Sequence, residues 1–215
     1  MHVLPFRTPA EIAAALPEVV DHLRAGGVIA YPTETVYGFG CAVRPDAVAR
    51  LSALKRRGEE RPFLLLVAGA EQLSTLAWTP SARALAAAFW PGPLTLALAA
   101  PAGAFPPGVR SPDGTVAVRA SPHSGVQALL RALGEALTST SANAPGEAPA
   151  RDAPGVEAAL ALLDGGDVLV LDGGELQPSA PSTIVDASVS PPRVVRAGAV
   201  PIQKLRTITG DIDAG

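Results

Sequence analysis

Three observations predict an α/β fold. Short apolar runs rich in Val, Leu and Ala alternate with stretches of helical periodicity along the chain. Of the 215 residues 48% are hydrophobic but only 4% aromatic, so a sizeable core is available and is built mainly from aliphatic side chains. The 22 Pro and 21 Gly imply many defined turns between elements. The length suits one domain, taken as residues 1–215.

Each element follows from local signals. Thr8-Pro9-Ala10-Glu11 has capping-box spacing with Pro at the first helical position, and Ile12, Leu16, Val19, Val20 and Leu23 then share a helical face. Gly26-Gly27 ends that helix. A strand over Val28 to Tyr31, a polar turn from Pro32 to Thr35 and a helix from Pro45 with Val48, Leu51 and Leu54 aligned give β, loop, α. Further strands are predicted at 63–67, 94–99, 116–119, 136–138, 168–171, 182–185 and 194–196, and helices at 70–76, 80–89, 125–133 and 156–163. Residues 84–109 carry no charged side chain and on length alone match a membrane span, but Pro91-Gly92-Pro93 breaks the run. It reads as helix, turn and buried strand. The Pro/Gly-rich connections near 100–114, 144–155 and 172–181 read as loops over a site.

Charge and cysteine content exclude several function classes. Lys+Arg 17 against Asp+Glu 20 gives a formal charge of -3, so no global basic field holds nucleic acid and any anion site is local. Cys41 is the lone cysteine, which rules out an internal disulfide and a zinc-ligand pair. Residues Met1 to Arg7 lack a signal-peptide hydrophobic region, so the expected compartment is the cytoplasm, away from membranes.

Two clusters carry chemistry. Lys55, Arg57 and Arg61 stand at and just after the end of the second helix, with Gly58 as its expected stop. Basic residues there commonly do no more than offset the helix dipole, and Glu59 and Glu60 lie beside them. Thr138-Ser139-Thr140-Ser141-Ala142-Asn143 follows an apolar stretch and holds more hydroxyl and amide groups than a turn or cap needs. Such groups suit phosphate oxygens, ribose or an amino acid. No Walker sequence or Gly-x-Gly-x-x-Gly opens a helix, and His2, His22 and His123 join no nucleophilic triad.

Further motifs stand in order around these clusters: Tyr31-Pro-Thr-Glu-Thr-Val-Tyr-Gly38, Lys55-x-Arg57, Pro91-Gly-Pro-Leu-Thr95, Val118-Arg119, Ser139-Thr-Ser-Ala-Asn143, Pro181-Ser-Thr-Ile-Val-Asp186 and Arg196-x-Gly198. Over residues 10 to 202 the chain resembles the YrdC-like L-threonylcarbamoyladenylate synthases in their single-domain form. The resemblance implies an open twisted mixed sheet with flanking helices and a concave basic cavity. It also implies a reaction joining L-threonine, bicarbonate and ATP, accompanied by Mg²⁺, into threonylcarbamoyl-AMP and pyrophosphate. A partner threonylcarbamoyl transferase would then use the product on tRNA.

By motif, Lys55 and Arg57 would be catalytic, and Lys55, Arg57, Arg61, Thr115, Ser141, Asn143, Arg151 and Arg196 would bind ATP. Thr33, Arg119, Ser139 and Ser182 would bind L-threonine, with Arg119 suited to a bidentate carboxylate clamp. No metal-binding side chains are expected. Gly58, Ala197 and Val67 depart from residues common in the family. The alternative is an RNA-binding or ribosome-assembly factor of the same fold that makes no product, and weak RNA contact is compatible with either reading.

Overall fold

A computed structural model describes residues 2–214. Ten strands form one mixed sheet: β1 (His2–Pro5), β2 (Ile29–Pro32), β3 (Tyr37–Gly40), β4 (Leu64–Leu66), β5 (Leu94–Ala99), β6 (Thr115–Arg119), β7 (Leu137–Ser141), β8 (Leu169–Asp172), β9 (Thr183–Asp186) and β10 (Arg193–Arg196). Their spatial order is β1-β8-β2-β3-β7-β4-β6-β5-β9-β10. The helices are α1 (Pro9–Arg24), α2 (Pro45–Lys55), α3 (Pro80–Phe89), α4 (Ser124–Leu133), α5 (Ala153–Leu163) and α6 (Ile202–Thr209).

The expected capping box opens α1: Thr8 Oγ1 accepts from Glu11 N, and the Glu11 carboxylate accepts from Thr8 N at 2.8 Å. The chargeless stretch resolves into α3, a turn and β5. Among the described residues no helix is long and apolar enough to cross a membrane. Residues 70–73 form a 3-10 turn rather than the longer helix expected at 70–76. Three elements escaped the sequence reading: β1, β3 and α6. Tyr37–Gly40 is all buried and pairs antiparallel with β2, so its two glycines belong to a strand and not to a loop. At Gly40 a side chain has no room, since a Cβ would stand 2.2 Å from the Thr138 carbonyl oxygen. Gly58 does not stop α2. Arg56 does, in the left-handed region at φ 48, with its N–H returned to Ala53.

Two apolar layers flank the sheet. One packs α2, α3, α5 and α6 against Phe39, Leu65, Leu96, Val118 and Val170. The other packs α1 and α4 against Ile29, Tyr31, Leu66, Leu137 and Leu169. This second layer covers strands β8, β2, β7 and β4 and leaves the same face of β6, β5, β9 and β10 without a helix. Register identifies what fills that open face. Ala97 pairs with Ala117 and Ala99 with Thr115, all only half-buried, while the alternate residues Leu96, Leu98, Val116 and Val118 are in the core. Small side chains thus form a floor, and Arg119 stands on it at the end of β6.

Candidate active site

Strand β7 carries the polar run further into the sheet than the sequence suggested, since the strand continues through Ser141. Leu137, Ser139 and Ser141 share a face. Leu137 lies under α1 and α4. Two residues on, Ser139 emerges from beneath those helices into a cavity of about 450 Å³. Its walls include Thr33, Arg119, Ser139, Ser182 and Arg196, so the four residues expected to bind threonine do come together, with Arg196 among them.

Arg119 dominates this cavity. It is 5% exposed, and its Nη1 stands 2.8 Å from Glu34 Oε1. That contact is an ion pair by distance without the alignment of a hydrogen bond, because Glu34 Oε1 and Arg119 Nε both lack hydrogen-bond partners. The other oxygen of Glu34 accepts from the Ser121 hydroxyl at 2.6 Å. A buried donor left unfilled costs about 1–3 kcal/mol. Arg196 donates to Ser182 through its carbonyl at 2.8 Å and its hydroxyl at 3.2 Å, and Ser182 Oγ in turn lies 2.9 Å from Thr95 Oγ1. Burial first, then the Arg119 charge, lowers the pKa of Arg196. Thr33 is less available than its type suggests: its hydroxyl donates to Val36 O at 2.7 Å and accepts from the Thr35 and Val36 amides.

A second cavity of about 380 Å³ adjoins the first, and Thr140 and Ser141 line both. Its wall gathers Lys55, Arg56, Arg57 and Arg61 against a single carboxylate, Glu60, so it is an anion site by charge. Lys55 reaches across from the end of α2. Its ammonium donates to Ser141 O at 2.8 Å, Asn143 Oδ1 at 2.9 Å and, by a short bond, Asn143 O. All three donors of that group are therefore engaged. Burial and the Arg57 charge push its pKa down to about 8. Arg57 donates to Thr140 Oγ1 at 3.0 Å and to the Pro62 and Arg61 carbonyls, with its guanidinium 5.1 Å from the Phe63 ring centre. Ser141 donates to Asn143 Oδ1 at 2.6 Å, and Asn143 Nδ2 to Glu147 O at 2.6 Å. The basic helix end and the polar strand end, separate in sequence, form one bonded unit.

Two expected ATP contacts line neither cavity. Thr115 shares the open face but begins β6, and its hydroxyl donates to Asp113. Arg151 gives Nε, at 2.9 Å, and Nη2 to the Leu176 carbonyl. It thereby holds the 172–181 loop, which Tyr37 anchors at Gly173 and Gly174 and Ser179 ties to the Glu34 carbonyl at 3.2 Å. Ser179 and Pro181 face the first cavity, so this connection does border the site as expected. Sequence reading missed Glu34 and Ser179, and named Thr140 only within the polar run. A carboxylate between two threonines in Thr33-Glu34-Thr35 was the only hint of Glu34. A separate crevice of about 310 Å³ beside Trp78 and Trp90 is largely apolar, and both indole N–H groups already donate to carbonyls of Leu73 and Leu94.

Comparison with known proteins identifies the family. The family model Sua5_yciO_yrdC, described as "Telomere recombination", matches residues 21–198. The threonylcarbamoyl-AMP synthase of Thiobacillus denitrificans is 39% identical over 186 residues, covering 85% of this chain and 95% of the relative. The threonylcarbamoyl-AMP synthase of Pyrococcus abyssi is 34% identical over 194 residues, 88% of this chain and 56% of the relative. Among solved structures, P. abyssi Sua5 complexed with L-threonine superposes with a TM-score of 0.86 at 30% identity. That match covers 99% of this chain and 62% of the Sua5 chain, so the protein spans less than two thirds of that relative. E. coli YciO gives a TM-score of 0.78 at 27% identity, with 95% and 98% covered. The chain belongs to the Sua5/YciO/YrdC family.

Proposed function

We propose that this protein is an L-threonylcarbamoyladenylate synthase, a cytoplasmic nucleotidyltransferase that makes threonylcarbamoyl-AMP and pyrophosphate from L-threonine, bicarbonate and ATP. The observation that carries this reading is the pair of basic cavities meeting at Thr140 and Ser141. One has the Arg119 guanidinium on its wall, suited to an amino-acid carboxylate. Its neighbour offers clustered cations, suited to a polyphosphate. The names of the relatives support the same assignment.

The chemistry asks little of side chains beyond placement. The threonine amine and bicarbonate lose water to give a carbamate. One carbamate oxygen then bonds to the α-phosphorus while the bond from that phosphorus to the bridging oxygen breaks, and pyrophosphate leaves. The nucleophile is already an anion, so no base is needed at the transfer, and orientation and charge neutralisation supply the rate. In this arrangement Arg119 clamps the carboxylate, while Ser139, Ser182 and Thr33 shape the remainder of the threonine side. Lys55, Arg57 and Arg61 neutralise the phosphates, Ser141 and Asn143 border the reacting centre, and Arg196 faces it from the opposite wall. The assignment of Thr115 and Arg151 to ATP rests on the family motifs alone, since both lie outside the two cavities. Mg²⁺ arrives as part of MgATP, its shell completed by phosphate oxygens and water. The product passes to a transferase acting on tRNA, a step that requires no RNA contact by this protein.

Pyrophosphate release measured with each substrate omitted in turn tests the reading. Release is expected only when ATP, threonine and bicarbonate are all present. Release that persists without threonine contradicts it.

A further inference from the structure

We infer that Glu34 is a positioning residue for amino-acid recognition, setting Arg119 in place from behind without touching the substrate. The inference rests on the threonine-binding reading above. Glu34 does not line the cavity, whereas Thr33, Thr35 and Arg119 do. Its carboxylate bridges outward from Arg119: Oε1 lies 2.8 Å from Nη1, Oε2 receives the Ser121 hydroxyl, and Ser121 Oγ also accepts from His123 N at 3.2 Å. This places a fixed negative charge behind a cation that is almost wholly buried and has Arg196 as a like-charged neighbour. The Glu34 charge beside Nη1 restrains where the guanidinium sits, and bidentate capture of a carboxylate depends on that placement. The Glu34 carbonyl also accepts from Ser179, so the residue that orients Arg119 anchors the bordering loop as well.

The experiment measures KM for threonine and for ATP separately in Glu34→Ala, Glu34→Gln and Ser121→Ala proteins. In Glu34→Ala, threonine KM is expected to rise ~10- to 100-fold, the worth of one charge-assisted contact, with ATP KM changed less than about twofold. Gln keeps the shape but not the charge and recovers little of the loss. Ser121→Ala releases one carboxylate oxygen and gives a smaller rise confined to threonine, and it carries the test if Glu34→Ala does not fold. A double variant separates positioning from direct contact. Added to Arg119→Lys, which keeps the charge but not the fork, Glu34→Ala should weaken threonine use by less than about twofold further. Additive losses overturn the inference, as do an unchanged threonine KM or equal rises for threonine and ATP. A wild-type protein that binds no threonine overturns the functional reading itself, a result distinct from variants that leave threonine binding intact.

Discussion

Replacing Lys55 by Met keeps the length of the side chain against the Phe39 ring, 5.7 Å from the ammonium, and removes only the charge and its donors. Three oxygens then lose a partner: Ser141 O, Asn143 O and Asn143 Oδ1. Ser141 O still accepts from Asn143 N at 3.1 Å and Asn143 Oδ1 from the Ser141 hydroxyl at 2.6 Å, so only Asn143 O is left unfilled, at about 1 kcal/mol. A fall in Tm of roughly 2–4 °C follows for a chain of this size. The rate falls much further. Removing one preorganised charge beside the transferred phosphate costs about 100- to 1000-fold in kcat. Thermal unfolding followed by circular dichroism, together with pyrophosphate release, reads both effects on one preparation. A Lys55→Met protein of wild-type activity would refute the phosphate role, and an unchanged Tm would refute the clamp on Ser141 and Asn143.

The lowered pKa of Lys55, about 8, gives a pH dependence. Below that value the ammonium is intact, and above it the amine has too few N–H groups for three acceptors, so ATP affinity measured by calorimetry should weaken as pH rises through about 8. In Lys55→Arg protein that limb should vanish. The stability contribution has the opposite slope: a folded pKa below the unfolded value of 10.5 means more protons bound in the unfolded chain, so this group's term rises with pH between about 8 and 10.5. Gly198→Ala would place a Cβ 2.4 Å from the Pro181 carbonyl oxygen and 2.6 Å from the Ser182 carbonyl carbon, both backbone. Displacing that strand end should cost about 1–3 kcal/mol in urea unfolding and raise threonine KM, because Ser182 and Arg196 move with it. Thr8→Ala removes a capping box far from the cavities and should cost about 1 kcal/mol in the same assay with kcat unchanged.

What was legible in the sequence is what local rules govern. The Thr8 box, the helix at 80–89 and the apolar run of β5 each needed only neighbours in the chain, and all three are found. Tyr37–Gly40 escaped because two glycines weaken a strand signal, yet the close approach of Thr138 makes glycine necessary at Gly40. β1 is a short, mostly exposed edge strand without an alternating pattern, and it forms because β8 accepts it. Helix α6 lies beyond the last motif and buries one leucine, Leu205. In the site, Lys55, Arg57, Ser141 and Asn143 were recognisable as residues, but their mutual hydrogen bonds join positions brought together only by the sheet. The Arg119 to Glu34 pair is of the same kind. Arg151 donates to the Leu176 carbonyl, a partner no spacing rule could supply.

The most direct measurement is a crystal structure with L-threonine and a non-hydrolysable ATP analogue bound together. The two cavities predict the threonine carboxylate on Arg119, the nucleotide phosphates against Lys55, Arg57 and Arg61, and the α-phosphate beside Ser141 and Thr140, where the cavities meet. Both ligands in one cavity, or threonine bound away from Arg119, would contradict the division of the site.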